Sequence, residues 1–570
     1  MSGTFAERDV SLAPELARAD SGLSSAPELT SELGSKMWVF RDGKRRVRTR
    51  ELLDTLNVAI SSSAPALEVL LRAGEAEAAL ADAGCNAAPV ARVTDAAADA
   101  LVHGTELKLD PVQFVDECPE ELRIGTPEGF AFYLLHPLAF RELARSVHPA
   151  GTLAAVIGIR SIGATLSAVV AKTLDAERIT VRPVGHPYER TVELTPEQRA
   201  WIQHHLQRGA HFYVVDEGPG FSGSSLISTA EALEEAGVPN DRVAILCTAQ
   251  PDPNRLMATD GALRWQHLHS YKTMPYLPEA VRDEKWYWAE HWRTRIYGKD
   301  ETHWPGVWRQ VETPKFLARD DHRLFRFIGF AHYGAPVLQR YQRLAEAQLG
   351  PNAKGDVEGF AEFWMDGGAA FTVPKWNEKT HGFMVRYLAE RIRLCPAEAQ
   401  AAEDNLSELE RMVHFNTCEL LGRAHDVRLR LDYPVYADNR MQPYKFLRTP
   451  YGMRKLDGAP HGDDHFFPGP CDIAWDVAGA IYEWQLTEGA TEQLLRDYSA
   501  MSGDMFIRSR LRDWTIAYLA FRCGYYLMGA SANVGWPEGE RLMRDARRYH
   551  TQLQKVVGME RRKVSQRIPA

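Results

Sequence analysis

Two stretches of the chain place a short, wholly apolar run ahead of a loop and an amphipathic run, the spacing of strand–loop–helix units. Thr152-Leu-Ala-Ala-Val-Ile-Gly-Ile159 is apolar without alternation, which predicts a strand buried on both faces. Arg160-Ser-Ile-Gly163 breaks the run, and residues 164–172 then read as a helix. The same order returns in Phe212-Tyr-Val-Val215, which ends at Asp216 and Glu217 and is followed by a Gly/Pro/Ser loop and a helix over 226–236. Two such units predict a parallel sheet with flanking helices. Between them, residues 179–190 begin as a strand and are then broken into a loop by Pro183, Gly185 and Pro187. Upstream, from Arg50 to about Val102, Ala, Leu and Glu recur at helical spacing, as in residues 67–80.

From about residue 310 the pattern changes. Leu324-Phe-Arg-Phe-Ile-Gly-Phe330 reads as a strand, residues 335–347 as an amphipathic helix with Pro336 at its start, and residues 357–368 as a strand and hinge. The division expected is a disordered Ser/Ala/Pro/Glu-rich terminus (1–35), a small helical region (36–104) and an α/β domain (105–270), entered through residues 123–136. A Trp-rich linker (271–309), a strand-and-helix unit (310–375) and a largely helical remainder (376–570) follow. The fold class is therefore α/β plus α+β. The aromatics of Lys285-Trp-Tyr-Trp-Ala-Glu-His-Trp292 read as packing anchors.

Composition narrows the function. A chain of 570 residues with 45% hydrophobic and 25% charged residues is an ordinary multidomain globular protein. Its net charge of −9 argues against a nucleic-acid partner. Seven scattered cysteines without a C-x-x-C pair suggest neither zinc nor a disulfide framework. With no secretory signal and no apolar run of spanning length, a cytoplasmic protein that does not engage a membrane is expected.

The chemistry is concentrated in Asp216-Glu-Gly-Pro-Gly-Phe-Ser-Gly-Ser-Ser225. A helix N-terminus offers N–H groups and a favourable dipole to a phosphate, Ser222, Gly223, Ser224 and Ser225 add donors, and two carboxylates suit ribose hydroxyls. The stretch resembles the ribose-phosphate loop of type I phosphoribosyltransferases, with a slightly longer spacing between the acids and the Ser-Gly-Ser core. The resemblance implies that phosphoribosyl pyrophosphate and Mg²⁺ bind here. Asp216 and Glu217 would be catalytic residues that orient the ribose hydroxyls, and Arg160, Ser161 and Gly163 would hold the diphosphate. His186 and Arg190 are read as ordinary loop residues, and a homodimer is the assembly the family suggests.

The second half resembles aminoglycoside and choline phosphotransferases. Tyr436-Ala-Asp-Asn-Arg-Met-Gln-Pro443 is followed, nineteen residues after Asp438, by Asp457, and then by Asp472-Ile-Ala-Trp-Asp476. By that resemblance Asp438 is the catalytic base, Asp457 and Asn439 hold Mg²⁺, Arg326 and its helical partner Glu346 meet ATP, and Asp472 and Asp476 brace the catalytic loop. A Gly-rich loop before Arg326 is missing, and Pro443 stands where the family has Asn. His461-Gly-Asp463 is a rival catalytic triplet, and His461, Asp463, Asp464 and His465 also read as a metal cluster. Together the resemblances imply a bifunctional transferase that ribosylates a small acceptor from phosphoribosyl pyrophosphate and phosphorylates a related small molecule from ATP. The alternatives are a phosphosugar or nucleotide sensor with a degenerate kinase lobe, and a chain in which the first module alone is active.

Overall fold

The computed structural model describes residues 29–113, 118–220, 222–288, 290–319, 322–365 and 367–565. The terminus expected to be disordered lies outside these residues up to position 28, as does Phe221 of the Ser/Gly loop. The chain divides into two compact units. One holds Lys44–Pro278 with Gly329–His332; the other holds residues 29–43, Glu279–Ile328 and the chain from Tyr333 onward.

The first unit is built on five parallel strands: β1 (Ala154–Ile159), β2 (Glu177–Val181), β3 (His211–Val215), β4 (Val243–Cys247) and β5 (His269–Lys272), in the spatial order β2-β1-β3-β4-β5. Helix α1 (Ile162–Leu174) follows β1, α2 (Pro196–Gln207) precedes β3, and α3 (Ser224–Glu235) follows it. β1 is buried along its whole length, as an unalternating apolar run requires. Ile157, Val214 and Ile245 pack with Ile202 of α2 and Leu226, Ile227 and Leu233 of α3 in one core. A second core joins Ala168 and Val169 of α1 to the helices Thr49–Ser61, Ala66–Asp82 and Ala88–His103. The helical stretch therefore shares a core with α1 and belongs to the same unit as the sheet.

Two glycines set how closely α1 approaches the sheet. A methyl group on Gly163 would lie 2.7 Å from the Val215 carbonyl oxygen, and one on Gly158 would lie 2.3 Å from the Gly163 carbonyl oxygen. Backbone stands on the far side of both contacts and cannot yield as a side chain would. Gly163→Ala is accordingly expected to destabilise the first unit by about 1–3 kcal/mol. Chemical denaturation checks this, and an unchanged midpoint would contradict the close approach.

The second unit opens with five antiparallel strands in the order Ala353–Val357, Phe360–Trp364, Arg323–Phe327, Lys315–Leu317, Lys285–Trp286. The Trp-rich stretch, read from sequence as a linker, thus supplies an edge strand and the helix Glu290–Tyr297. Helix α4 (Ala335–Glu346) has Pro336 in its first turn. The rest is mainly helical, with the hairpin Phe446–Thr449/Gly452–Lys455 and the short pair Pro434–Tyr436/Pro470–Asp472 among the helices. Trp475, Trp484, Trp514 and Tyr518 are fully buried there. Residues 29–43 join this unit, where Asn416 holds both the N–H and the C=O of Trp38, at 2.9 and 2.8 Å. The chain thus has mixed α/β content, with a parallel sheet and a helical C-terminal part. No helix among the described residues is long and apolar enough to cross a membrane.

Candidate functional site

In the first unit the strand order reverses between β1 and β3, so the loops leaving their C-terminal ends diverge and open a crevice, the usual ligand position in a doubly wound sheet. The sequence-predicted residues lie on the loops and helix starts that follow these two strands. Arg160 and Ser161 leave β1, and Gly163 lies in the first turn of α1. Asp216 and Glu217 leave β3, and Ser222 and Gly223 lead into α3, whose first residues are Ser224 and Ser225. Gly223 has φ +71°, a left-handed conformation that a side chain would strain.

The serines are not equivalent. The Ser224 hydroxyl is buried and donates to the Pro187 carbonyl at 2.5 Å, which draws the segment 184–191 onto the loop. Thr259 adds a second tie, donating to Glu189 at 2.9 Å. Ser222 and Ser225 remain partly exposed. Ser222 is therefore better placed than Ser224 to offer its hydroxyl to a ligand, although the two oxygens are only 3.0 Å apart.

The two acids are short of partners. Asp216 accepts the Glu217 N–H at 2.8 Å, and Glu217 accepts the Gly129 N–H at 3.1 Å. Burial pushes Asp216 up to about 7 despite Arg182 and Arg190 nearby. Burial, with Glu128 and Asp216 adding repulsion, pushes Glu217 up to about 8. Such a pair gains from hydroxyl donors or a cation, so its donor chemistry fits ribose and a Mg²⁺–diphosphate group. Arg182, Arg190 and Gly129 contribute to this environment, and sequence reading did not single out Arg182 or Gly129. The signal for Arg182 was its place just beyond β2, beside the end of β1.

Because both acids keep protons in the folded state that the unfolded chain has lost, stability of the first unit should fall as pH rises between about 4 and 8. Asp216→Asn with Glu217→Gln should flatten that slope. Thermal unfolding across this range checks it, and equal slopes in the two proteins would contradict the assignment.

In the second unit, Asp438 sits ahead of the hairpin Phe446–Thr449/Gly452–Lys455 and Asp457 just beyond it. Asp476 accepts the N–H groups of Asp438 and Asn439, at 2.8 and 3.1 Å, and pairs with Arg391 at 3.1 Å. Asp472 accepts the N–H groups of Asp432, Tyr433 and Ala474 and pairs with Arg510 at 2.9 Å. The Asp476 contacts fix the backbone at Asp438 and Asn439, whereas those of Asp472 hold residues 432–433 and the start of the helix Ala474–Glu483.

The carboxylates themselves are buried and matched by cations. Asp438 is 0% exposed, 3.1 Å from the Lys455 ammonium, and accepts the Tyr387 hydroxyl at 2.5 Å. Asp457 pairs with Arg326 through one oxygen and with Lys445 at 2.5 Å through the other. Burial alone would raise the Asp457 carboxyl, but Arg326 and Lys445 outweigh it and hold it well below the usual range. Burial draws Lys445 down to about 8 against the pull of Asp457.

Two expected roles are corrected here. Glu346 is exposed and does not pair with Arg326, because α4 buries Val337, Arg340, Tyr341 and Leu344, and position 346 is out of phase with that face. Asn439, at φ +57°, has no oxygen to spare for a metal: its amide donates to the Phe467 carbonyl at 2.9 Å and accepts from Trp475 and Arg522, each at 3.2 Å. As arranged, these side chains do not fit a Mg²⁺ ion. The His461 cluster is likewise committed. His461 bridges Arg326 at 3.1 Å and Asp464 at 3.2 Å, and Asp463 pairs with Arg340 at 2.7 Å. No group of three or more His, Cys, Asp or Glu among the described residues is placed to hold a metal ion.

No family model and no curated protein matches the chain. Solved structures do. A choline/ethanolamine kinase family protein from Mesorhizobium loti is 13% identical, with 42% of this chain and 85% of that one covered, at a TM-score of 0.27. Choline kinase LicA from Streptococcus pneumoniae is 12% identical, over 46% of this chain and 99% of that one, at 0.26. The GDP complex of aminoglycoside 2'-phosphotransferase-IIIa is 14% identical, over 45% and 97%, at 0.25. Likenesses at these scores carry no argument about activity.

Proposed function

We propose that the first unit binds phosphoribosyl pyrophosphate and that the chain is a transferase working from this donor. The observation that carries the reading is the meeting of Arg160, Ser161 and Gly163 with Asp216, Glu217 and the Ser222–Ser225 turn at one reversal of strand order. A loop of N–H groups and an arginine meets the diphosphate, the α3 N-terminus meets the 5'-phosphate, and the acid pair meets the ribose hydroxyls. Mg²⁺ carried in with the donor would neutralise diphosphate charge. The chain's own part is to orient the sugar and to stabilise the charge that leaves the anomeric carbon. Release of inorganic pyrophosphate, followed across a panel of nitrogenous small-molecule acceptors, tests the transfer. Acceptor-dependent release is expected, and none with any acceptor would contradict a catalytic role.

A kinase-like second unit acting on a related small molecule is the companion proposal. A specific observation favours the variant in which only the first unit is catalytic: Asp438 and Asp457 are each neutralised by a buried cation, and Asn439 is locked by Trp475 and Arg522. In that variant the second unit is a scaffold. ATP turnover by the purified chain separates the two.

A further inference from the structure

The helices ahead of the sheet have no part in the donor site as described, yet one of their acids reaches it. Asp82 closes the helix Ala66–Asp82. Its Oδ1 accepts from Nε of Arg160 at 2.8 Å and from Nε of Arg182 at 3.0 Å, and Nη2 of Arg182 meets its other oxygen. Arg182 also donates through Nη1 to the carbonyl of Arg160. One carboxylate thus aligns guanidinium groups from two neighbouring strand ends and, through Arg182, holds the backbone of the loop that follows β1.

Without that carboxylate the two like charges would repel, and each guanidinium would keep only neutral ties, Arg160 to Thr180 and Arg182 to the Arg160 carbonyl. The helix end does not depend on Asp82 for its own place. Arg178 in β2 makes a bidentate pair with Glu77, both bonds at 2.8 Å, and a further bond to Asp95 at 2.6 Å. The Arg178 and Glu77 side chains are only 6% and 5% exposed. Asp82 is 33% exposed, and ion pairs so open to water add little to stability. A strong anchor beside a weak, bridging acid is what alignment of the arginines needs and what fold stability does not.

We infer that Asp82 is a positioning residue for the diphosphate end of the donor, holding Arg160 and Arg182 in register with the loop Arg160–Gly163. The inference rests on the donor site proposed above, and it gives the helical region a role in donor affinity.

The test titrates the full chain with phosphoribosyl pyrophosphate and Mg²⁺ and repeats the titration with Asp82→Asn, Asp82→Glu and Asp95→Asn, with thermal unfolding of each. Asp82→Asn is expected to weaken binding by about tenfold or more, the loss of a charge-assisted contact. Asp82→Glu should recover part of it, and Asp95→Asn, which removes an ion pair from the neighbouring anchor, should bind as wild type does. Binding by Asp82→Asn within about twofold of wild type, or tighter binding, would overturn the positioning role. So would an equal loss in Asp95→Asn, because binding would then follow the fold of the helices and not the alignment of the arginines. No binding by the wild-type chain is a separate result, which removes the donor site and this inference with it.

Discussion

Asp216→Asn with Glu217→Gln is expected to lose phosphoribosyl pyrophosphate binding by about a hundredfold or more, while making the first unit more stable at pH 8. The first effect follows from removing two carboxyl groups that the bound donor's hydroxyls and Mg²⁺ would draw into the ionised form, each contact to a charged group contributing about 1.5–3 kcal/mol. The second follows from the same carboxylates being raised to about 7 and about 8 in the folded chain. At pH 8 ionisation costs the folded state free energy that the amides do not. Both acids are partly exposed, so the gain is expected at about 1–2 kcal/mol and not the full shift. A variant that loses binding and stability together would point to general damage, and one that keeps binding would remove the ribose assignment. Opposite signs in the two measurements are the mark of a site that sacrifices stability for its ligand.

Asp457→Asn is expected to destabilise the second unit by about 3–5 kcal/mol, because it leaves Arg326 and Lys445 buried without their shared counter-charge. Denaturation followed by tryptophan fluorescence suits this unit, whose core holds Trp475, Trp484 and Trp514. Donor binding by the first unit should survive. Little change in the unfolding midpoint would show that the Asp457 carboxylate is not needed as a counter-charge. It would reopen that carboxylate for metal binding.

The parallel sheet was legible through β1 and β3, apolar runs that end at chemically distinct loops and whose predicted starts lie within two residues of the observed ones. The edge strands β2 (Glu177-Arg-Ile-Thr-Val181) and β5 (His269-Ser-Tyr-Lys272) carry polar residues and lack that signal. What the pattern hid was strand order, which depends on how the helices pack and not on local periodicity. Only that order shows that the loops after β1 and β3 share a crevice. Asp82 was hidden for a similar reason, since it stands 78 positions from Arg160 in the chain and no spacing rule links them. The Trp-rich stretch misled because aromatic crowding looks alike in a linker and in an edge strand; the pairing of Trp286 with Phe316 decides it. In the second unit the order of Asp438, hairpin and Asp457 was readable, but the commitments of Asn439 and Asp457 were not. Whether an acid faces a metal or a lysine depends on which buried cations lie across the fold.

The most direct test of the central claim is calorimetric titration of the full chain with phosphoribosyl pyrophosphate in the presence of Mg²⁺, with ATP titrated both alone and into the donor complex. Saturable binding of one donor per chain, which ATP does not displace, is the result expected if the loops after β1 and β3 form a phosphoribose site. No binding of the donor, under conditions where ATP does bind, would contradict it.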